Sequence, residues 1–275
     1  MSIFPFSKSC PLLLVGCGNM GSAMARGWLN AGLDADAFWG IDPVLADKHI
    51  EGLANEKIVA NIEALPQDIN LKAIVMAIKP QMMAASLPKL KELVQRETLI
   101  ISIAAGTTIA AYEEHFGDVG IIRSMPNTPA AIGKGISGVV ANTKAKSEDK
   151  AVAERLLGAI GEVVWVESEG LIDSVTAVSG SGPAYVFYFV EALAAAGVKN
   201  GLSENVAMKL ARQTIIGAGA LLEESGDSAT ELRKKVTSPQ GTTAAALNVL
   251  MADDGLAPVI DRAVTAAKRR SKELS

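Results

Sequence analysis

The stretch Cys10–Gly21, CPLLLVGCGNMG, constrains the chain more than any other. A short apolar run, Leu12 to Val15, leads straight into glycines at 16, 18 and 21, spaced G-x-G-x-x-G. Asn19 to Ala31 then carry Met20, Ala23, Met24, Gly27 and Trp28 at helical spacing, and Gly32 ends the segment. Strand, glycine turn and helix in that order make the phosphate-binding start of a dinucleotide domain. Gly16 permits the tight turn, Gly18 lets the backbone approach a pyrophosphate, and Gly21 lets the helix pack closely on the strand. The pyrophosphate then sits on the amides and positive end of that helix. Gly16, Cys17, Gly18, Asn19, Met20 and Gly21 are therefore the expected cofactor cradle. Asp42 closes a second apolar segment, Ala37 to Asp42, where the ribose-binding acid belongs. A carboxylate there accepts hydrogen bonds from the ribose of NAD and repels the extra phosphate of NADP. The nearest cation downstream is Lys48, and the alternative role for Asp42 is a turn cap before Pro43.

The same stretch has a rival reading as a secretory leader, with Leu14-Val15-Gly16-Cys17 as a lipoprotein-like cleavage box. A leader needs about 7 to 15 unbroken apolar residues. Between Lys8 and Gly16 there is only Cys10 to Val15, interrupted by Pro11, so the nucleotide turn is the expectation. No apolar run reaches the roughly 18 residues of a membrane span. A net charge of −4 without a basic block argues against nucleic acid as a partner. Cys10 and Cys17 form neither a disulfide framework nor a metal set with His49 and His115. A cytoplasmic enzyme without a metal is expected.

Apolar segments at Lys57–Ala60, Ala73–Ile78, Leu99–Ile103, Val119–Arg123, Ile136–Ala141 and Val163–Val166 read as further strands, with helices at about Met82–Val94 and Ser147–Leu157. That alternation implies an α/β Rossmann-type, doubly wound parallel sheet over residues 1–167. From 168 to 275 only helical segments appear, broken at Gly180-Ser181-Gly182-Pro183, Asn200-Gly201, Gly226-Asp227 and Ser238-Pro239-Gln240-Gly241. An all-α second domain is the expectation. Its segment Ala184 to Val198 has Glu191 as its one charge, too apolar for a monomer surface, and reads as a helix buried between two subunits.

Three further stretches resemble the pyrroline-5-carboxylate reductase family. They are Ala77-Ile78-Lys79-Pro80-Gln81, the run Arg123-Ser124-Met125-Pro126-Asn127-Thr128-Pro129, and a long C-terminal match from Val178 through Gly180-Ser181-Gly182-Pro183 and Leu232-Arg233 to Ser238-Pro239-Gln240-Gly241-Thr242-Thr243. The resemblance implies reduction of L-1-pyrroline-5-carboxylate to L-proline by NADPH or NADH, in a helical-domain homodimer that is often assembled further. It also implies that Asn61 lies near the adenosine ribose, that Ala77, Ile78, Lys79, Pro80 and Ala104, Ala105, Gly106 line the nicotinamide half, and that residues 238–243 form the substrate pocket. Lys79 is then a cofactor-loop contact rather than a base, Glu169 a substrate contact or a surface charge, and Tyr185 and Tyr188 dimer core. One departure stands out: the family has two glycines after the proline, and the first of them is Gln240 here.

Imine reduction needs a hydride donor and a C=N carbon held about 3 to 3.5 Å apart, which is mostly a matter of positioning. The segment Ser238-Pro239 ahead of Thr242-Thr243-Ala244 reads as a helix start with proline in its first turn. Its amides and the Ser238 hydroxyl suit a substrate carboxylate, with Gly241 and Thr242 beside them. The Thr243 hydroxyl suits the ring nitrogen and is the expected catalytic group. A plain capped helix has the same local pattern. A related two-domain 3-hydroxyacid dehydrogenase would carry a lysine and an asparagine near positions 186 and 190, where this chain has Val186 and Val190. A catalytically silent nucleotide-sensing protein remains compatible with the fold alone.

Overall fold

The computed structural model describes residues 4–44 and 50–274, so Lys48 and His49 lie outside the described residues. The chain opens with β1 (Leu12–Val15), α1 (Asn19–Asn30), β2 (Phe38–Ile41), β3 (Ile58–Val59), β4 (Ala73–Met76) and α2 (Pro80–Leu90). It continues through β5 (Leu99–Ser102), α3 (Ile109–Phe116), β6 (Ile121–Met125), β7 (Gly135–Ala141), α4 (Ser147–Gly158) and β8 (Gly161–Trp165). A short α5 (Ile172–Val175) then runs into a π-helical turn, Thr176–Gly180.

These strands form one eight-stranded sheet in the order β3-β2-β1-β4-β5-β6-β7-β8. Strands β1, β4, β5 and β6 are buried on both faces, which is why they read as unbroken apolar runs. Alternate residues feed two separate cores. Leu12, Leu14, Val75 and Ile101 pack with Met24, Trp28 and Leu156 of α1 and α4. Leu13, Val15, Ile74 and Ile100 pack with Met83, Leu87, Tyr112 and Phe116 of α2 and α3.

The expected parallel sheet departs from that pattern at one edge. Strands β1 to β6 are parallel, but β7 runs antiparallel to β6, and β8 is parallel to β7. A parallel neighbour requires a crossover of about a dozen residues or more. The link between β6 and β7 holds only the 3-10 turn Thr128–Ile132, whereas β7 reaches β8 through α4. Helix α3 is absent from the sequence reading because eight residues offer little periodicity. Its ends are nevertheless marked, by the Thr108 side chain accepting from the Ala111 amide and by Gly117 at φ 71°.

The chain up to Gly180, together with the end of the chain from Ala267, makes one compact unit, and Ser181–Ala266 makes the second. The division falls later than the expected 167/168 boundary because Ile172 is fully buried in the sheet's second core. Ser271 near the C-terminus donates to Asp173 at 2.7 Å. Beyond β8 the described residues contain no strand. The second unit holds α6 (Gly182–Lys199), α7 (Glu204–Glu224), α8 (Ala229–Lys235), α9 (Thr242–Leu250) and most of α10 (Leu256–Glu273). Its buried core is small, Ala194, Ala207 and Ala211 with Val190 against them. Among the described residues one helical stretch, Glu169–Lys199, is long and apolar enough by composition to cross a membrane, with mean hydropathy 1.2. It escapes a count of unbroken apolar runs because Glu191 and the turn residues interrupt it.

Trp28 ties the first helix to the fourth. It is fully buried, and its Nε1 donates to the Leu156 carbonyl at 2.7 Å, a last-turn carbonyl that α4 cannot satisfy by itself. Trp28→Phe removes that donor and leaves a void. The expected cost is about 2 to 4 kcal/mol, read as a lower urea midpoint. An unchanged midpoint would mean that α1 and α4 are held together by other contacts.

Candidate functional site

Strand β1 lies between β2 and β4, so the order of connection reverses there. Ligands of open α/β sheets bind at the carboxyl ends of the strands flanking such a point. Gly16 sits at φ 94°, and a side chain on it would meet the Ala77 carbonyl oxygen at 2.7 Å and Ile78 Cγ2 at 2.8 Å. A side chain on Gly21 would run into the carbonyl of Gly16, so the helix start lies directly against the turn. Gly18 has open space where a Cβ would stand, and it caps α1 without any side-chain bond. Two glycines thus close the turn and the third leaves room at a helix amino end, which fits a pyrophosphate.

Asp42 accepts from the Cys17 amide through Oδ2 at 2.8 Å and from the Val44 amide through Oδ1 at 2.9 Å. The carboxylate therefore caps the turn after β2, the alternative role for it, and in addition fastens that turn to the glycine loop. The two segments are also joined through the backbone, Gly16 N–H donating to the Ile41 carbonyl at 2.8 Å. Asn61 spends its side-chain carbonyl on the Ala64 amide. Ala77 donates its amide to Val15 at 2.8 Å, which sets the 77–80 segment beside the glycine turn. Lys79 is exposed at the N-cap of α2, with Pro80 as its first residue.

The Ala104-Ala105-Gly106 segment follows β5, and it rests on polar groups that the sequence reading missed. Ser102 Oγ lies 2.6 Å from Tyr112 Oη and accepts from the Ala104 amide at 3.2 Å. Burial pushes the Tyr112 phenol up to about 12, against the lowering effect of bonds from Ser102 and Thr107, so it stays protonated at neutral pH. Arg123 of β6, with Nη1 2.7 Å from Glu169 Oε1, forms a second polar cluster on the same strand face as Ser102. Glu169 Oε1 also accepts from the Ile109 amide at 2.8 Å.

In the second unit, Ser238 to Gly241 form a β-turn closed by the Gly241 amide and Ser238 carbonyl at 3.1 Å. Proline at its second position and φ 61° at Gln240 make it type II. The helix starts only at Thr242, with Gly241 as N-cap, so Pro239 belongs to the turn and not to the first helical turn as expected. A Cβ on Gly241 would meet Ser238 Oγ, so a side chain at that position requires the Ser238 hydroxyl to rotate away. The amides of Thr242, Thr243 and Ala244 precede the first bond within the helix, from the Ala245 amide to the Gly241 carbonyl. Ser238, Thr242 and Thr243 hydroxyls therefore share one turn with the open amides of α9.

Comparison with known proteins bears on both units. Residues 169–274 match the family model for pyrroline-5-carboxylate reductase dimerisation, and residues 12–106 match that for NADP oxidoreductase, coenzyme F420-dependent. The pyrroline-5-carboxylate reductase of Pseudomonas aeruginosa is 38% identical over 267 residues, covering 96% of each chain. The Coxiella burnetii pyrroline-5-carboxylate reductase structure superposes with TM-score 0.83 at 32% identity, over 97% of this chain and 99% of that one. The Plasmodium falciparum pyrroline carboxylate reductase, solved with NADP bound, gives TM-score 0.80 at 32% identity, over 97% and 98%.

Gln240 has a backbone conformation that glycine adopts freely and glutamine does not. Gln240→Gly is expected to stabilise the chain by up to about 1 kcal/mol, while Gln240→Ala, equally strained, brings no gain. Thermal melts of both variants check this. Equal melting points for the glycine and alanine variants would contradict the strained turn.

Proposed function

The chain belongs to the pyrroline-5-carboxylate reductase family, and from that premise we propose how its residues reduce L-1-pyrroline-5-carboxylate to L-proline, the last step of proline biosynthesis. It is an oxidoreductase that uses NADPH or NADH. The observation that carries the assignment of residues is the type II turn at Ser238–Gly241 opening into the unpaired amides of α9.

The Ser238 hydroxyl and the amides of Thr242 to Ala244 hold the substrate carboxylate at the positive end of the helix. The missing side chain at Gly241 leaves the Ser238 hydroxyl room to stand there. The Thr243 hydroxyl bonds the ring nitrogen. The protonated imine is electrophilic already, and hydride added at its carbon leaves a neutral amine nitrogen, so the residues have only to orient the ring and shield it from water. The reduced nicotinamide supplies that hydride. Gly16 to Gly21 hold its pyrophosphate, Asp42 and Asn61 its adenosine ribose, and residues 77–80 and 104–106 its nicotinamide half.

The second unit supports a homodimer. Phe187 is 63% exposed, Tyr188 70% and Val249 71% in the isolated chain, more apolar surface than a monomer keeps. A subunit interface explains the apolarity of Glu169–Lys199 better than a bilayer does, because the matched family model is one for dimerisation. The sparse cysteine content, Cys10 and Cys17 alone, is in keeping with a cytoplasmic enzyme.

Three variants test these roles with pyrroline-5-carboxylate as substrate. Ser238→Ala should mainly raise the substrate KM, since the amides still bind the anion. Thr243→Ala should mainly lower kcat, by about ten- to a hundredfold for one lost bond to a charged group. Equal loss of cofactor affinity in both would reduce the segment to a structural cap. Asp42→Ser should weaken the binding of both dinucleotides by loosening the Cys17 amide, but raise the ratio of NADPH to NADH efficiency. An unchanged ratio would take Asp42 away from the ribose.

A further inference from the structure

Glu169 is the one expected site residue whose carboxylate oxygen already has two internal donors. Oε1 accepts from Arg123 Nη1 at 2.7 Å and from the Ile109 amide at 2.8 Å. Arg123 is 4% exposed, on strand β6, and its buried Nε has no hydrogen-bond partner among the described residues. Ile109 is the first residue of α3, so the carboxylate stands at the positive end of that helix as well. The pair is only half-buried, with the Arg123 side chain 5% and the Glu169 side chain 30% exposed, and an ion pair of this kind is weak evidence for stability, so what it holds decides its role.

The pair holds the chain between β5 and α3, residues 103–108, which carries Ala104, Ala105 and Gly106. Its start is fixed by the Ile103 amide on the Met76 carbonyl and the Ala104 amide on Ser102 Oγ. Thr107 is buried beside the Tyr112 phenol, which Ser102 bonds. Those anchors come from the neighbouring strand and from the flanking β5 and α3. The anchor at the far end comes from Glu169, sixty positions on in the chain, and Glu169 is itself held by Arg123 from the adjacent strand. The loop is thus pinned at both ends to the sheet, leaving Ala105 exposed and Gly106, at φ 73°, free of side-chain bulk.

We propose that Glu169 is a positioning residue: with Arg123 it clamps the Ile109 amide and so fixes the 103–108 loop at the height the nicotinamide ring requires. This rests on the reading that residues 104–106 line the nicotinamide half, and it replaces a direct contact between Glu169 and substrate. A misplacement of about 1 Å at such a loop costs up to about a hundredfold in rate. The adenosine half, held at the glycine turn and Asp42, is indifferent to it.

Binding of the preferred reduced dinucleotide is compared by titration calorimetry with binding of the matching fragment that lacks nicotinamide, ADP-ribose or its 2′-phosphate. Glu169→Ala is expected to weaken the whole dinucleotide about tenfold or more and leave the fragment unchanged. kcat should fall with it, and Glu169→Gln, which keeps an acceptor for both donors, should recover most of both. Should the alanine variant not fold, Glu169→Asp must show the same split, because its shorter carboxylate keeps a charge near Arg123 but withdraws from Ile109. Gly106→Val is the control for the underlying reading, since it puts bulk into the loop itself. If Gly106→Val weakens the dinucleotide selectively and the Glu169 variants do not, or if they weaken dinucleotide and fragment equally, the clamp is overturned while the site reading stands. If Gly106→Val also leaves dinucleotide binding intact, the loop does not face nicotinamide and the clamp falls with that reading.

Discussion

The first unit depends on how closely α1 approaches the end of β1. The helix begins so near the carbonyl of Gly16 that position 21 has no space for a side chain, and Gly16 in turn lies against the Ala77 backbone of the neighbouring strand. One turn therefore couples the first helix, the first strand and the strand across the switch point. Asp42 adds the second strand to the same joint through the Cys17 amide. The open position of Gly18, the direction of the unpaired helix amides and the placement of residues 77–80 follow from that joint. Adding a single methyl group at Gly21 would move the helix and everything referenced to it.

Much of this was legible because it is local. A run of four apolar residues, three spaced glycines and an acid at the end of the next strand specify their own geometry. The helical character of the second unit was equally plain from its periodicity. Strand direction at the far edge was not, because it depends on the length of the link between β6 and β7, which the apolar pattern does not report. Helix α3 was too short to show a period. The division between the units shifted because Ile172 looks helical and apolar whichever core it enters.

The site was legible in the same uneven way. Ser238, Gly241, Thr242 and Thr243 came from a resemblance, and the strained Gln240 became meaningful only once the turn proved to be type II. The contacts under the 103–108 loop join Ser102, Tyr112, Arg123 and Glu169, which are scattered along the sequence and meet only in the sheet. An arginine in an apolar strand is the signal that could have pointed there. A charge inside a strand buried on both faces must have a partner, and nothing in the spacing of residues says which.

Hydride passes directly from the reduced dinucleotide to the imine carbon of pyrroline-5-carboxylate. This transfer is tested most directly by supplying NADPH and NADH stereospecifically deuterated at C4 of the nicotinamide and analysing the product by mass spectrometry. With one of the two C4 stereoisomers the proline formed should carry a single deuterium at the reduced ring carbon, and with the other none. Proline that stays unlabelled with both stereoisomers, or no proline at all from purified protein, would contradict the account.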